Sequence, residues 1–184
     1  MTNLEQYTPG PASGAQIRKD GEMWTLILVR ELRHSPEKVW KALTDPAQLR
    51  EWAPFDAEGN LGMVGSAVKL TTVGAPAPHV TETTVRRADA PNALEYKWGD
   101  FDMRWQLEPV GTGTRLTLWT NIGHRFIAMG AAGWHICFDV LDSLLGGTPI
   151  GRMVGPAAMK FGGWQRLNAE YAKQFGIESP NWPR

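Results

Sequence analysis

The chain has 184 residues, of which 42% are hydrophobic and 21% charged, and its 19 basic side chains equal its 19 acidic ones in number. This length suits a single domain that buries its own core without disulfides or metals. A formal net charge of zero argues against nucleic-acid binding and against electrostatic attachment to anionic membranes. The single cysteine, Cys137, excludes an internal disulfide and indicates a reducing compartment.

The first segment, residues 1–20, is predicted to be a flexible N-terminal arm. It is polar and contains Pro9, Gly10, Pro11 and Gly14. It lacks the basic and apolar regions of a secretory signal. No apolar run in the chain reaches the length of a membrane span. We therefore expect a cytoplasmic protein with no membrane insertion.

A strand and two short helices are predicted next. Residues 23–33 are rich in β-formers and predict the strand. Ser35 before a proline is a typical helix start, and it predicts a helix over residues 36–43. Asp45 before Pro46 is a second start, for a helix that ends near Trp52.

Five further strands are predicted between turns rich in glycine and proline. They cover residues 66–73, 79–88, 93–98, 101–109 and 114–121. The fourth has the clearest pattern, because apolar and polar residues alternate along it and predict one buried face. Its apolar positions are Phe101, Met103, Trp105 and Leu107.

Two longer helices are predicted after the strands, over residues 125–145 and 156–175. The first presents Trp134 and Phe138 on one face. We expect residues 21–177 to form one domain and residues 178–184 an irregular tail. Consecutive antiparallel strands with helices grouped at one end are typical of the α+β class.

Two groups of polar residues are candidates for chemistry. His79 shares one strand face with Thr81 and Thr83, which are either polar points in an apolar pocket or residues of an exposed strand edge. His135 and Asp139 lie one helical turn apart, so the carboxylate could orient the ring of a general base, or the two could form a surface ion pair. His79 and His135 are the candidate proton carriers.

Neither a metal nor a cofactor is expected. The four histidines are scattered, and no Cys-x-x-Cys, His-Glu-x-x-His or glycine-rich phosphate-binding motif occurs. Cys137 and His135 are two residues apart, so on a helix their side chains point apart. Cys137 is therefore expected to pack in the core.

Nine tryptophans suggest either a large aromatic core or a lined pocket. Strand alternation places four aromatic or sulfur-containing side chains on one face, and the first long helix adds two more. These are Tyr96, Trp98, Met103 and Trp105, with Trp134 and Phe138. A pocket built from them would bind a flat or apolar molecule.

Several motifs resemble the START-like (SRPBCC) superfamily, in the branch related to activators of the heat-shock ATPase. They are SPEKVWKALTDP at residues 35–46, LREW at 49–52, PNALEY at 91–96, GTGTRLTL at 111–118, and Gly163-Trp164. The resemblance extends over roughly residues 22 to 176.

The resemblance implies a helix-grip (START-like or Bet v-like) fold. A curved antiparallel sheet of six or seven strands would surround the long C-terminal helix, with an apolar cavity between them. The helix at residues 125–145 is then an extra element that either caps the cavity mouth or forms a homodimer surface. Trp52 and Phe55 match the lid-like corner over the mouth.

Three functions remain open, because the superfamily includes lipid binders, polyketide cyclases, aromatase-like enzymes, stress proteins and co-chaperone domains. A binder of a small hydrophobic or aromatic molecule needs a connected cavity with few titratable groups. A cyclase, dehydratase or hydrolase acting on an aromatic or polyketide-like substrate needs a titratable residue in that cavity. A co-chaperone-like interaction module needs a broad exposed apolar patch.

Overall fold

The computed structural model describes residues 3–178, so the predicted tail falls almost wholly outside the described residues. Nine strands are described: β1 Ala15–Asp20, β2 Met23–Leu32, β3 Phe55–Ala57, β4 Ala67–Thr72, β5 His79–Thr84, β6 Arg87–Asp89, β7 Ala93–Trp98, β8 Phe101–Val110 and β9 Gly113–Asn121. Five α-helices are described: α1 Pro36–Thr44, α2 Pro46–Trp52, α3 Ile127–Leu145, α4 Gly155–Met159 and α5 Gly162–Phe175.

The strands form two antiparallel sheets. The larger has six strands in the order β1-β2-β9-β8-β7-β6, and the smaller has three in the order β3-β4-β5. The strand predicted over residues 79–88 is divided between them. Val85 donates its N–H to Ser66 beside the small sheet, whereas Arg86 donates to Glu95 of β7 in the large sheet. The backbone therefore changes partners between two adjacent residues, which side-chain alternation does not reveal.

The prediction of a flexible arm over residues 1–20 is wrong for its last six residues. Ala15–Asp20 form β1, and each of them pairs with a residue of β2, from Ala15 opposite Leu28 to Asp20 opposite Met23. The strand was missed because its sequence, AQIRKD, holds few apolar residues. An edge strand contributes mainly backbone hydrogen bonds, so it needs little hydrophobic patterning.

The segment before β1 is also bound. We call residues 7–13 the N-terminal strap; it lies along α5 and accepts or donates hydrogen bonds through its backbone. Gln174 Nε2 donates to the Ala12 carbonyl at 2.8 Å, and Glu170 Oε1 accepts from the Ala12 N–H at 3.2 Å. Tyr171 Oη donates to the Ser13 carbonyl at 3.0 Å. Side chains of α5 therefore fix the strap to the domain.

The α+β helix-grip architecture is confirmed, but a different helix faces the sheet. Trp105 of β8 packs against Trp134 and Phe138 of α3, with ring centroids 5.7 and 6.1 Å apart. α5, which was predicted to cross the concave face, packs instead against α3 and β1. Although α3 has 19 residues, no helix within residues 3–178 is long and apolar enough to cross a membrane.

The predicted helix over residues 156–175 is interrupted. α4 ends at Met159, and Phe161 adopts an extended backbone (φ −79°, ψ 127°) as the N-cap of α5. Two glycines follow this cap and favour a new helix start over a continuous one. The break separates α4 from α5, and Ala158 and Met159 of α4 and Trp164 of α5 contribute to the same wall described below.

Candidate ligand-binding site

A cavity of about 280 Å³ lies between α3, the end of β9 and the segment that leads into α5. α3 contributes Met129, Gly130, Gly133, Trp134 and Cys137. The end of β9 and the β7–β8 hairpin contribute Thr120, Asn121, Ile122, Trp98 and Phe101. The C-terminal segment contributes Met153, Val154, Gly155, Ala158, Met159 and Trp164.

Aromatic rings form the rigid part of this wall. Trp98 meets Trp134 edge to face at 6.3 Å, and its indole Nε1 donates to Thr72 Oγ1 at 3.0 Å, which fixes the ring. Phe101 and Phe126 are 38% and 46% exposed although both line the cavity. They therefore mark an apolar mouth through which a molecule could enter.

The polar side chains of the wall already have partners in the protein. Asn121 Oδ1 accepts from the Asp102 N–H at 2.5 Å, and its Nδ2 donates to the Asp100 carbonyl at 3.2 Å. The Thr120 hydroxyl lies 3.7 Å from Met103 Sδ. Among the lining residues, all within the described chain, Cys137 is the only titratable one. Burial raises the pKa of its thiol to about 12, so the wall is uncharged at neutral pH.

Arg152 holds the C-terminal wall in place. Its guanidinium donates to the Ala53 carbonyl at 2.6 Å, the Phe55 carbonyl at 2.9 Å and Asp56 Oδ1 at 2.8 Å. These three contacts tie the loop that carries Met153 to β3. The sequence does not reveal this wall, because residues 151–155 predict only a loop; a lone arginine in a glycine-rich loop is the available signal.

Two of the eleven predicted ligand-binding residues, Trp98 and Trp134, line the cavity. Six others are buried outside it and pack as core. These are Trp52, Phe55, Tyr96, Met103, Trp105 and Phe138. Of these eight aromatic or sulfur-containing side chains, six therefore belong to the core and two line the cavity.

The polar face predicted on β5 does not line the cavity. β5 belongs to the small sheet, where His79 is exposed and Thr81 half-buried. Thr83 is buried, and its hydroxyl accepts a hydrogen bond from the Lys97 N–H at 3.0 Å. These three residues therefore do not line this cavity, because the chain leaves the large sheet along this stretch, and exposed His79 agrees with the alternative of a strand edge.

His135 and Asp139 belong to a polar network on the other side of α3. His135 is 4% exposed, with Nδ1 2.7 Å from Tyr171 Oη and Nε2 3.6 Å from Asp139 Oδ2. The Asp139 carboxylate also accepts from Tyr7 Oη and Arg30 Nη1. The pair is neither a surface ion pair nor a base facing the cavity: it joins the strap, β2, α3 and α5.

Burial lowers the pKa of His135 below its ordinary value of 6.5, and the Asp139 carboxylate opposes part of that shift. As the pH falls below about 6.5, unfolded chains bind a proton at this residue before folded ones do. We therefore expect a stabilising contribution that is present above pH 6.5 and lost as the pH falls towards the folded-state pKa. Urea unfolding at several pH values should show a shallower acid dependence for His135→Asn than for the wild type. Parallel curves would contradict this assignment.

Within residues 3–178, no group of three or more histidine, cysteine, aspartate or glutamate side chains is placed to hold a metal ion. The cavity wall offers one thiol and no carboxylate or imidazole. What the site can do chemically is to surround an apolar molecule with aromatic and sulfur-containing side chains.

Solved structures with the same fold come from several bacteria. CalU16 from Micromonospora echinospora shares 19% identity, with 86% of this chain and 94% of that chain covered and a TM-score of 0.62. EF2215 from Enterococcus faecalis, a conserved protein of unknown function, shares 17% identity over 96% and 97% of the two chains (TM-score 0.65). MLL2253 from Mesorhizobium loti shares 27% identity over 67% and 98% (TM-score 0.57).

A search of the curated proteins gave no match. The sequence profile of one family does match: the family described as "Activator of Hsp90 ATPase homolog 1-like protein" covers residues 33–146. That range begins just before α1 and ends after α3, so it contains most of the large sheet and the helix that faces it. The chain therefore belongs to the family of activator of Hsp90 ATPase homolog 1-like proteins, within the START-like superfamily that its motifs resemble.

Proposed function

We propose that the protein binds a small, uncharged aromatic molecule in the cavity beside α3 and does not itself catalyse a reaction there. The observation that carries this proposal is the composition of the wall. Three tryptophans (Trp98, Trp134 and Trp164) and three methionines (Met129, Met153 and Met159) line a volume of about 280 Å³ with no charged side chain among them. Concave, mostly apolar sites of this kind are typical of small-molecule binding.

The wall should discriminate by charge and by shape. An ionised ligand would lose its hydration without gaining an ion pair, which costs several kcal/mol or more unless it is neutralised. Flat rings gain edge-to-face contacts with tryptophan and favourable contacts with methionine sulfur. Neutral aromatic molecules therefore fit the site better than carboxylic acids such as fatty acids do.

The enzyme hypothesis has less support from the same geometry. General acid–base catalysis requires a titratable group within hydrogen-bond reach of the reacting atoms. Cys137 holds its proton at neutral pH because burial raises the pKa of its thiol to about 12. His79 and His135, the candidate proton carriers, are not among the lining residues.

An interaction module would require a broad exposed apolar surface. Met63 and Val64 are the most exposed large hydrophobic residues in the described chain, but they are two neighbours on one loop. The cavity is the stronger feature, so binding of a small molecule is the function that we propose.

A matched pair of ligands tests the charge preference. We expect 2-naphthol, a neutral phenol, to quench the tryptophan fluorescence of the purified protein with a dissociation constant at least about tenfold lower than that of 2-naphthoate, because the carboxylate must be desolvated without a partner. Native mass spectrometry of freshly purified protein should be run alongside, to detect a molecule that copurifies. Equal or tighter binding of the naphthoate would contradict the proposal.

A pair of variants then tests the location. Met129→Glu places a carboxylate in the wall, and we expect it to weaken 2-naphthol binding by at least about tenfold. Met63→Glu makes the same chemical change at a side chain that is 63% exposed, on a loop that does not line the cavity. It should leave the dissociation constant unchanged. If both variants bind as the wild type does, the ligand lies elsewhere.

A further inference from the structure

α3 faces the cavity with two glycines, Gly130 and Gly133. The residues around Gly133 are all buried: Ala131, Ala132, and residues 134–138. Gly133 itself is half-buried and lines the cavity. At this position no side chain separates the cavity from the backbone of α3.

Neither backbone conformation nor packing requires glycine at residue 133. Its φ is not among the positive values recorded for other glycines of the chain. A Cβ atom built at this position would meet no atom within 4 Å. Glycine inside a helix is less stable than alanine, so this residue lowers stability without a local reason. Gly130 differs, because a Cβ there would approach Ile122 Cδ1 to 2.7 Å.

Resting on the proposed function, we infer that Gly133 determines which ligands fit: its missing side chain keeps open a slot beside Trp134 for an uncharged aromatic ligand of three rings or more. A side chain at residue 133 would extend into the volume that a third ring needs. Two-ring molecules can seat against the remaining wall. Gly133 thus lowers the stability of α3 and allows a larger ligand to bind.

Two neutral probes and graded variants test this inference. N-phenyl-1-naphthylamine has three rings and 2-naphthol has two, and both are followed by fluorescence titration. Gly133→Ala should weaken N-phenyl-1-naphthylamine by about tenfold or more and change 2-naphthol by less than about threefold. Gly133→Leu should weaken both by more than about tenfold. The thermal midpoint of Gly133→Ala should rise by about 2 to 4 °C, which shows that lost affinity is not lost folding.

Gly162→Ala is the matched control. Gly162 is the first residue of α5, is exposed, and would accept a Cβ with no atom within 4 Å, as Gly133 would, but it does not line the cavity. Its replacement should leave both dissociation constants unchanged. If the wild type binds neither probe, the proposed function fails and this inference fails with it. If the wild type binds both and the Gly133 variants bind equally well, the inference is overturned while the proposed function stands.

Discussion

Replacement of Trp105 by alanine is expected to lower the free energy of unfolding by about 3 to 5 kcal/mol, the usual range for a truncated buried tryptophan. Trp105 is 1% exposed and contacts three rings from two helices: Trp52 on α2, and Trp134 and Phe138 on α3. Its Nε1 donates to Tyr96 Oη at 3.3 Å. The variant removes the centre of this cluster and leaves a void that its rigid neighbours cannot fill. Urea denaturation followed by circular dichroism measures the loss.

Trp119→Ala is the matched control for this variant. Trp119 lies on β9 next to β8 and is half-buried on the opposite face of the sheet, with the Arg104 guanidinium 4.8 Å from its ring centroid. We expect its loss to cost about 1 kcal/mol or less, because an exposed cation–π contact contributes little. Equal losses for the two variants would mean that the aromatic cluster under α3 is not the centre of the core.

Asp139→Asn is expected to cost about 2 to 3 kcal/mol, because a hydrogen-bonded charge would be removed from a poorly hydrated network. The side chains of Asp139 and Arg30 are 18% and 23% exposed. Without the carboxylate, the Arg30 guanidinium keeps its charge but loses its ion pair, and Tyr7 Oη loses a charged acceptor. The asparagine side chain has nearly the same shape, so packing changes little. Urea denaturation should be measured near pH 7.5, where His135 is neutral, so that its titration does not contribute to the loss of stability.

Asp142→Asn is the control on the same helix. Its carboxylate lies 3.2 Å from His34 Nε2 but is 52% exposed, and such pairs typically contribute about 0 to 1 kcal/mol.

The double variant of Asp139→Asn with Arg30→Met should lose less stability than the sum of the single variants, since each removes the same interaction. Additive losses would show that the two residues stabilise the fold independently.

Local signals in the sequence were sufficient to predict most strands of the large sheet and the starts of the first two helices. The alternation from Phe101 to Leu107 predicted one buried face of β8, and the structure buries Met103, Trp105 and Leu107 but leaves Phe101 exposed at the cavity mouth. Ser35 and Asp45 cap α1 and α2 through their side chains, as their position before prolines indicated. These signals work because they depend on contacts within a few residues.

The site could not be predicted in the same way, because its walls meet only in the folded chain. The wall opposite α3 includes Met159 of α4 and Trp164 of α5, which lie on either side of the break at Phe161. Arg152 gave no recognisable pattern, since its acceptors are backbone carbonyls and a carboxylate about a hundred residues earlier. Trp98 and Trp134 were recognised as pocket residues from type and face alone, and the same reasoning also selected Trp105, which is core.

The N-terminal strap has a consequence for how the protein is made. Ser13 is held by Tyr171, which follows it by 158 residues. On a translating ribosome the strap emerges early but must wait for α5, which is made after every strand of both sheets. Trp164 belongs to α5, so the part of the cavity wall that it forms is also completed late. A nascent chain therefore has no complete cavity until α5 has left the ribosome.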